Sequence, residues 1–279
     1  MQTPVVLGYV CLVAATFSYG TSTLLLSHEL DSLETGGGAL HLASYRLGLA
    51  FQGLAFLLAF VARIDLPLLL VQAGVSASVA VSAVVGAALG RWRLGALDGA
   101  AVASVVAGVA LAGAASEPSR ASTDTLWPPL IGLVVTAACL GLWQVAARRP
   151  GLLQLGPTVL GALAGLAFGS SAVGARMLAA DPLAALRHPA PAAAAVLLVA
   201  GLGAGQVLLT TAFRSGSVTG PVAAMYVAAT VWPSLAGLVW LADAVQPGRW
   251  WWAAAGLVLA LGGTARLAEH ESQPAPVEQ

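Results

Sequence analysis

The side chains able to do chemistry in this sequence are uncharged and clustered. Tyr19, Thr21 and Ser22 adjoin Thr16 and Ser18, with Gly20 among them. Gln72, Ser76, Ser78 and Ser82 form a second group, and Ser170 and Ser171 follow Gly169 in a third. Gln206, Thr210 and Thr211 come next, then Pro221, Tyr226, Thr230, Trp232 and Ser234. Hydroxyls, amides and indoles inside apolar runs hydrogen-bond a small solute or one another. Between helices such a bond is worth about 0.6 kcal/mol on average, and that is the bland role of any single member. Enzyme signatures are missing. His28-Glu29 lacks the second histidine of a zinc-protease motif because position 32 is Ser32, and no Gly-x-Ser-x-Gly occurs. Gly201-Leu202-Gly203-Ala204-Gly205 is set in an apolar stretch with no strand before it, so it does not read as a nucleotide loop. Cys11 and Cys139 are far apart with no ligand spacing. The expectation is a non-enzyme with neither cofactor nor bound metal.

The elements that must hold these groups are membrane helices. Of 279 residues, 58% are hydrophobic and 9% charged, where a soluble domain carries about 25% charged residues. All twelve basic residues are scattered arginines balanced by twelve acids, so no basic stripe exists for nucleic acid, and none is expected as a partner. A bilayer core about 30 Å thick needs roughly 20 apolar helical residues. Nine runs have that length: 5–26, 43–62, 66–89, 95–115, 127–147, 156–178, 191–213, 218–241 and 249–267. The expected fold is all-α, a polytopic bundle of nine transmembrane helices in a lipid bilayer. Residues 27–42 read as the longest hydrophilic loop, and 268–279 as a short disordered tail. The first run is too long for a cleaved signal peptide and should be retained.

Alternating crossings put Arg63, Arg120, Arg176, Arg187 and Arg249 at one face. Arg46, Arg91, Arg93, Arg148, Arg149, Arg214 and Arg266 fall at the other. Positive loops stay cytoplasmic. Seven against five therefore orients the N-terminus outward and the C-terminus inward, in a bacterial plasma membrane.

The chain also repeats itself. Tyr19-Gly20-Thr21-Ser22 is echoed by Phe168-Gly169-Ser170-Ser171, and the third and fourth runs are echoed by the eighth and ninth. A copy that begins five crossings later enters the membrane from the opposite side, giving an inverted pair of the kind used in secondary transport. The expected units are a first repeat over 1–126, a linking helix over 127–155 and a second repeat over 156–267. Gly20 and Gly169 are expected at the closest approach between the repeats. Glycines every four residues, as at Gly161, Gly165 and Gly169, should let helix backbones touch and leave a homodimer open.

The stretch Leu66-Pro67-Leu68-Leu69-Leu70-Val71-Gln72, leading to Leu89-Gly90-Arg91, resembles the drug/metabolite transporter superfamily, EamA-like. So do 206–213 and Val218-Thr219-Gly220-Pro221-Val222, and the nine-helix layout is similar to the NIPA-like branch of magnesium transporters. The resemblance implies a carrier working by alternating access on a small-molecule or ion substrate.

An ionisable group at the bilayer centre costs about 2.5 to 3.5 kcal/mol and is functional by default. No acid stands near the middle of any run; Asp98 and Asp243 fall at interface depth. The expected pathway is an uncharged polar crevice, suited to a neutral or amphipathic metabolite. Its proposed lining is Tyr19, Gly20, Thr21, Ser22, Gln72, Gly169, Ser170, Ser171, Gln206, Pro221 and Tyr226. A divalent cation or a non-transporting accessory role is the alternative. Arg46 and Arg176 are expected to reach lipid headgroups; pointed inward, either would favour an anion or fix a loop. Pro221 and Pro233 free the carbonyls of Ser217 and Ala229 and could break the eighth helix there.

Overall fold

The computed structural model describes residues 3–33, 39–90, 94–121, 125–149, 154–214 and 219–271. Ten α-helices account for most of them: α1 (Thr3–Leu33), α2 (Ala39–Ala62), α3 (Leu68–Ser76), α4 (Ser78–Ala88), α5 (Ala96–Ala115), α6 (Trp127–Arg148), α7 (Pro157–Ala180), α8 (Pro189–Phe213), α9 (Thr219–Trp240) and α10 (Trp250–Glu271). Two-residue strands β1 (Ser116–Glu117) and β2 (Ala244–Val245) pair antiparallel. Eight stretches are long and apolar enough to cross a membrane, with Leu68–Ala88 (α3 and α4 together) counted as one. In the second expected crossing, α2, the apolar stretch among the described residues is the shorter Arg46–Ala62. The protein is thus an all-α membrane bundle.

Helix starts follow from local chemistry. Proline occupies the first turn of α6, α7 and α8, where its missing N–H would have had no partner. At α5 the Asp98 carboxylate accepts the N–H of Gly95 at 2.9 Å, a cap that also places negative charge at a helix N-terminus. Two boundaries differ from the sequence reading. Residues 27–33 and 39–42 continue α1 and α2, which shortens the expected loop, and α10 runs to Glu271, into the expected tail. Residues 34–38 and 272–279 lie outside the described residues.

One end of the bundle, here called the near end, carries the starts of α1, α3, α6, α8 and α10 and the finishes of α2, α5, α7 and α9. It is fastened across the chain. Beyond the β1–β2 pair, the N–H of Gln246 donates to the Ala115 carbonyl at 2.8 Å, and that of Ser119 to the Asp65 carbonyl at 3.1 Å. Trp127, Trp250, Trp251 and Trp252 stand exposed at helix starts of this end, where amphipathic rings suit the headgroup layer.

Lipid is as apolar as leucine, so packing comes from small residues that admit close contact. α7 packs on both α8 and α9, α5 on α10, and α1 on α2. The ladder Gly161, Gly165 and Gly169 lies directly on the α9 backbone and side chains, as its spacing requires. Gly108 and Gly256 bring α5 and α10 backbone to backbone.

The expected third crossing is broken at Ala77, between α3 and α4. The Ala80 N–H turns back to the Ala77 carbonyl, and side chains of flanking helices take up carbonyls at the break. Thr16 of α1 donates to the Gly74 carbonyl at 2.9 Å, and Thr264 of α10 to that of Ser76 at 3.3 Å. A Gly/Ser-rich stretch with inserted hydroxyls is a recognised cause of kinking. The expected break at the prolines of the eighth crossing does not occur. α9 is continuous, with Pro233 inside it and Pro221 in its first turn.

Candidate functional site

The interior polar groups gather where α3 meets α9, flanked by α1 and α7. Gln72 Nε2 donates to the Ala229 carbonyl at 2.6 Å. That is the acceptor freed by Pro233 four residues on, so a sequence-legible orphan is satisfied by a sequence-legible amide. One turn further from the near end, the hydroxyls of Ser76 and Thr230 share a hydrogen bond of 2.6 Å. On the α7 side, Trp232 Nε1 donates to Ser170 at 2.9 Å.

Two arginines complete the cluster, and they correct the expectation of an uncharged interior. Arg176, expected to snorkel to the headgroups, is fully buried. Its Nη2 lies 2.8 Å from Asp243 Oδ1, the pair being 0% and 1% exposed. The same guanidinium donates to the carbonyls of Arg63, Ile64 and Ser119. Asp243 in turn accepts the Leu68 N–H at 2.7 Å, at the start of α3, where the helix dipole favours a carboxylate. Backbone geometry puts it there. Ala242 takes a left-handed conformation with φ 58°, and the Asp243 N–H closes back on the Gly237 carbonyl at 3.1 Å in a Schellman-like end to α9. The carboxylate rests directly over Gly237, where any side chain would collide with it. The pair fixes loops, one of the two roles open to an inward Arg176.

Arg63 follows α2 and is 6% exposed. Its Nη2 donates to Gln72 Oε1 at 3.2 Å; Nε and Nη1 have no hydrogen-bond partner. The ionisable groups acting on it are Tyr19 and Arg176. Nothing in the sequence distinguished it from a loop arginine, because hydropathy sets depth along a helix and not the direction of a flexible side chain beyond its end.

The remaining expected residues separate. Tyr19 and Thr21 are half-buried on α1, with Gly20 buried between them. Ser22 donates to the Gly48 carbonyl of α2 at 2.9 Å, and Ser171 to Phe168 of its own helix at 2.6 Å. Tyr226 packs on the apolar group of Val79, Val105 and Leu267, one helical turn before Thr230 on α9. Pro221 is buried against Gly161 at the opposite end of α9 from Asp243. Gln206 faces outward, exposed, and its neighbours Thr210 and Thr211 return their hydroxyls to carbonyls of their own helix. The structure thus places it outside the seam. Gln206→Leu should leave the unfolding temperature and any flux unchanged, and a loss in vesicle assays would return it to the site. Gly20 and Gly169 also differ from expectation. An added Cβ at Gly20 would lie 2.8 Å from Ser78 O and Val81 of α4, and one at Gly169 2.9 Å from Pro233 of α9. Each contact falls within one proposed repeat and not between the two. Arg46 is exposed, as expected for a headgroup arginine.

Comparison with known protein families, curated proteins and solved structures finds no match.

Proposed function

We propose that the chain is a multi-pass carrier with a drug/metabolite-superfamily architecture, moving a small metabolite by alternating access. In this reading nine helices cross the membrane. The first repeat comprises α1 to α5, with α3 and α4 as one crossing; α6 links it to an inverted copy, α7 to α10. Equivalent contacts support the duplication. Gly20 of α1 rests on α4 as Gly169 of α7 rests on α9, and the last helix of each repeat, α5 or α10, packs on the other. The carrying observation is the polar seam between the third crossings of both repeats. Gln72 meets Ala229, Ser76 meets Thr230, and a buried Arg63 with unspent donors lies alongside. A seam between inverted repeats is where midplane sites form. The Arg176–Asp243 pair and the β1–β2 strap then act as the closed gate of the near end. With Arg63 and Arg176 inside, three of its five arginines remain as loop charge, which favours that end as the outer one.

The test is flux in reconstituted proteoliposomes. Movement of a metabolite, drug or divalent cation faster than through empty liposomes is expected, and its absence across such a panel assigns the protein an accessory role instead. The magnesium alternative is disfavoured because the seam offers a cation a guanidinium and no unpaired carboxylate.

A further inference from the structure

We propose that Arg63 anchors a binding site for a small organic anion, a carboxylate or phosphate ester, in the seam between α1, α3 and α9. The inference rests on the carrier reading only where it makes that anion the substrate. Three of the near end's carboxylates are occupied elsewhere, and Glu117 of β1 stands exposed. Asp243 belongs to Arg176, Asp65 pairs with Arg120 at 3.4 Å, and Asp181 pairs with Arg187 at 3.5 Å. Arg63 is left without a carboxylate among the described residues, more than nine-tenths buried, with Nε and both hydrogens of Nη1 unused.

A buried charge without a counter-charge is strongly unfavourable, and an ionisable group kept at membrane depth is functional by default. A planar guanidinium matches the geometry of carboxylate and phosphate oxygens, and it forms its strongest hydrogen bonds with them. Gln72 positions it, accepting from Nη2 while its own amide is fixed to Ala229. Tyr19 of α1 is the phenol within electrostatic reach of Arg63. Arg176 is already neutralised by Asp243, so the net positive charge at this place is that of Arg63. An anion at this place neutralises a buried guanidinium that the described residues leave uncompensated.

The experiment is thermal unfolding of the full chain in phosphatidylcholine nanodiscs. Sodium phosphate, glycerol phosphate, citrate and benzoate are titrated against sodium chloride at matched ionic strength. At least one anion should raise the unfolding temperature saturably. Arg63→Gln should weaken that response about tenfold or more, the loss expected of charge-assisted bonds, while Arg63→Lys retains part of it and Arg148→Gln all of it. Gln72→Glu covers the case in which Arg63→Gln fails to fold. Its carboxylate would pair with Arg63 and abolish the anion response, while giving up the bond to the Ala229 carbonyl, so the readout is the response to anion and not the unfolding temperature without it. No response to any anion, or an undiminished one in Arg63→Gln or Gln72→Glu, overturns the proposal. Stabilisation by phosphatidylglycerol nanodiscs alone reassigns Arg63 to a lipid headgroup and overturns it as a substrate site. Anion binding without flux upholds the site and sinks the carrier reading; flux without anion binding does the reverse.

Discussion

Asp243→Asn is expected to destabilise the protein by about 3–5 kcal/mol, the range for removing one partner of a buried ion pair. The variant keeps the shape of the side chain but leaves two buried guanidinium groups, Arg63 and Arg176, with no carboxylate between them. Its new amide would also turn a donor toward Arg176 Nη2 or lose the Leu68 N–H. Arg176→Met removes a cation instead. It strands the carbonyls of Arg63, Ile64 and Ser119 without their donor, yet leaves Asp243 bonded to Leu68 and Ser119. The order should therefore be wild type, then Arg176→Met, then Asp243→Asn, in unfolding temperature and in yield of folded protein. The double variant Arg176→Met with Asp243→Leu should recover part of the loss, since no unpaired charge remains from the pair, while the three carbonyls and the Leu68 N–H stay without partners. Equal unfolding temperatures for wild type and Asp243→Asn would show that the pair carries no structural weight.

Gly169→Leu and Gly20→Leu should each reduce flux to that of empty vesicles while the protein still inserts. Hydropathy is not lowered by leucine, so insertion is unaffected. The obstruction is local: the added side chain meets Pro233 and Trp232 in one case, and Ser78 O and Val81 in the other. Overpacking of this kind costs typically 1–3 kcal/mol and forces α9 or α4 away from its neighbour. Because Trp232 is bonded to Ser170 and Gln72 to Ala229, a displaced α9 takes the seam with it. Gly99→Leu, at a position with open space, is the control. Wild-type flux in either glycine variant would show that these contacts do not govern the pathway.

The membrane spans and many helix starts were legible because apolar length and first-turn proline act within one segment. The glycine ladder of α7 was legible for the same reason, and so was the carbonyl that Pro233 releases. Azimuth was not. A helix apolar all round gives no face, so Gln206 and Gln72 looked alike although one meets lipid and the other the interior. The Arg176–Asp243 pair joins residues far apart in the chain, and its carboxylate is aimed by one left-handed alanine that no pattern announces. Arg63 escaped notice because its position after α2 is that of a loop residue, whereas its side chain reaches back into the bundle. The Ala77 break lay in a run whose hydropathy is uninterrupted, and only the glycine and serines around it hinted at a weak turn.

A left-handed backbone at a non-glycine residue costs roughly 1–2 kcal/mol. At Ala242 that energy is held in place by the bonds of the very next residue. The turn is a cocked spring: were the near end to part, as the proposed carrier cycle requires, release of Asp243 would let Ala242 relax and return part of what breaking the ion pair consumes. An opened near end would thereby be brought nearer in population, by about an order of magnitude for each 1.4 kcal/mol returned.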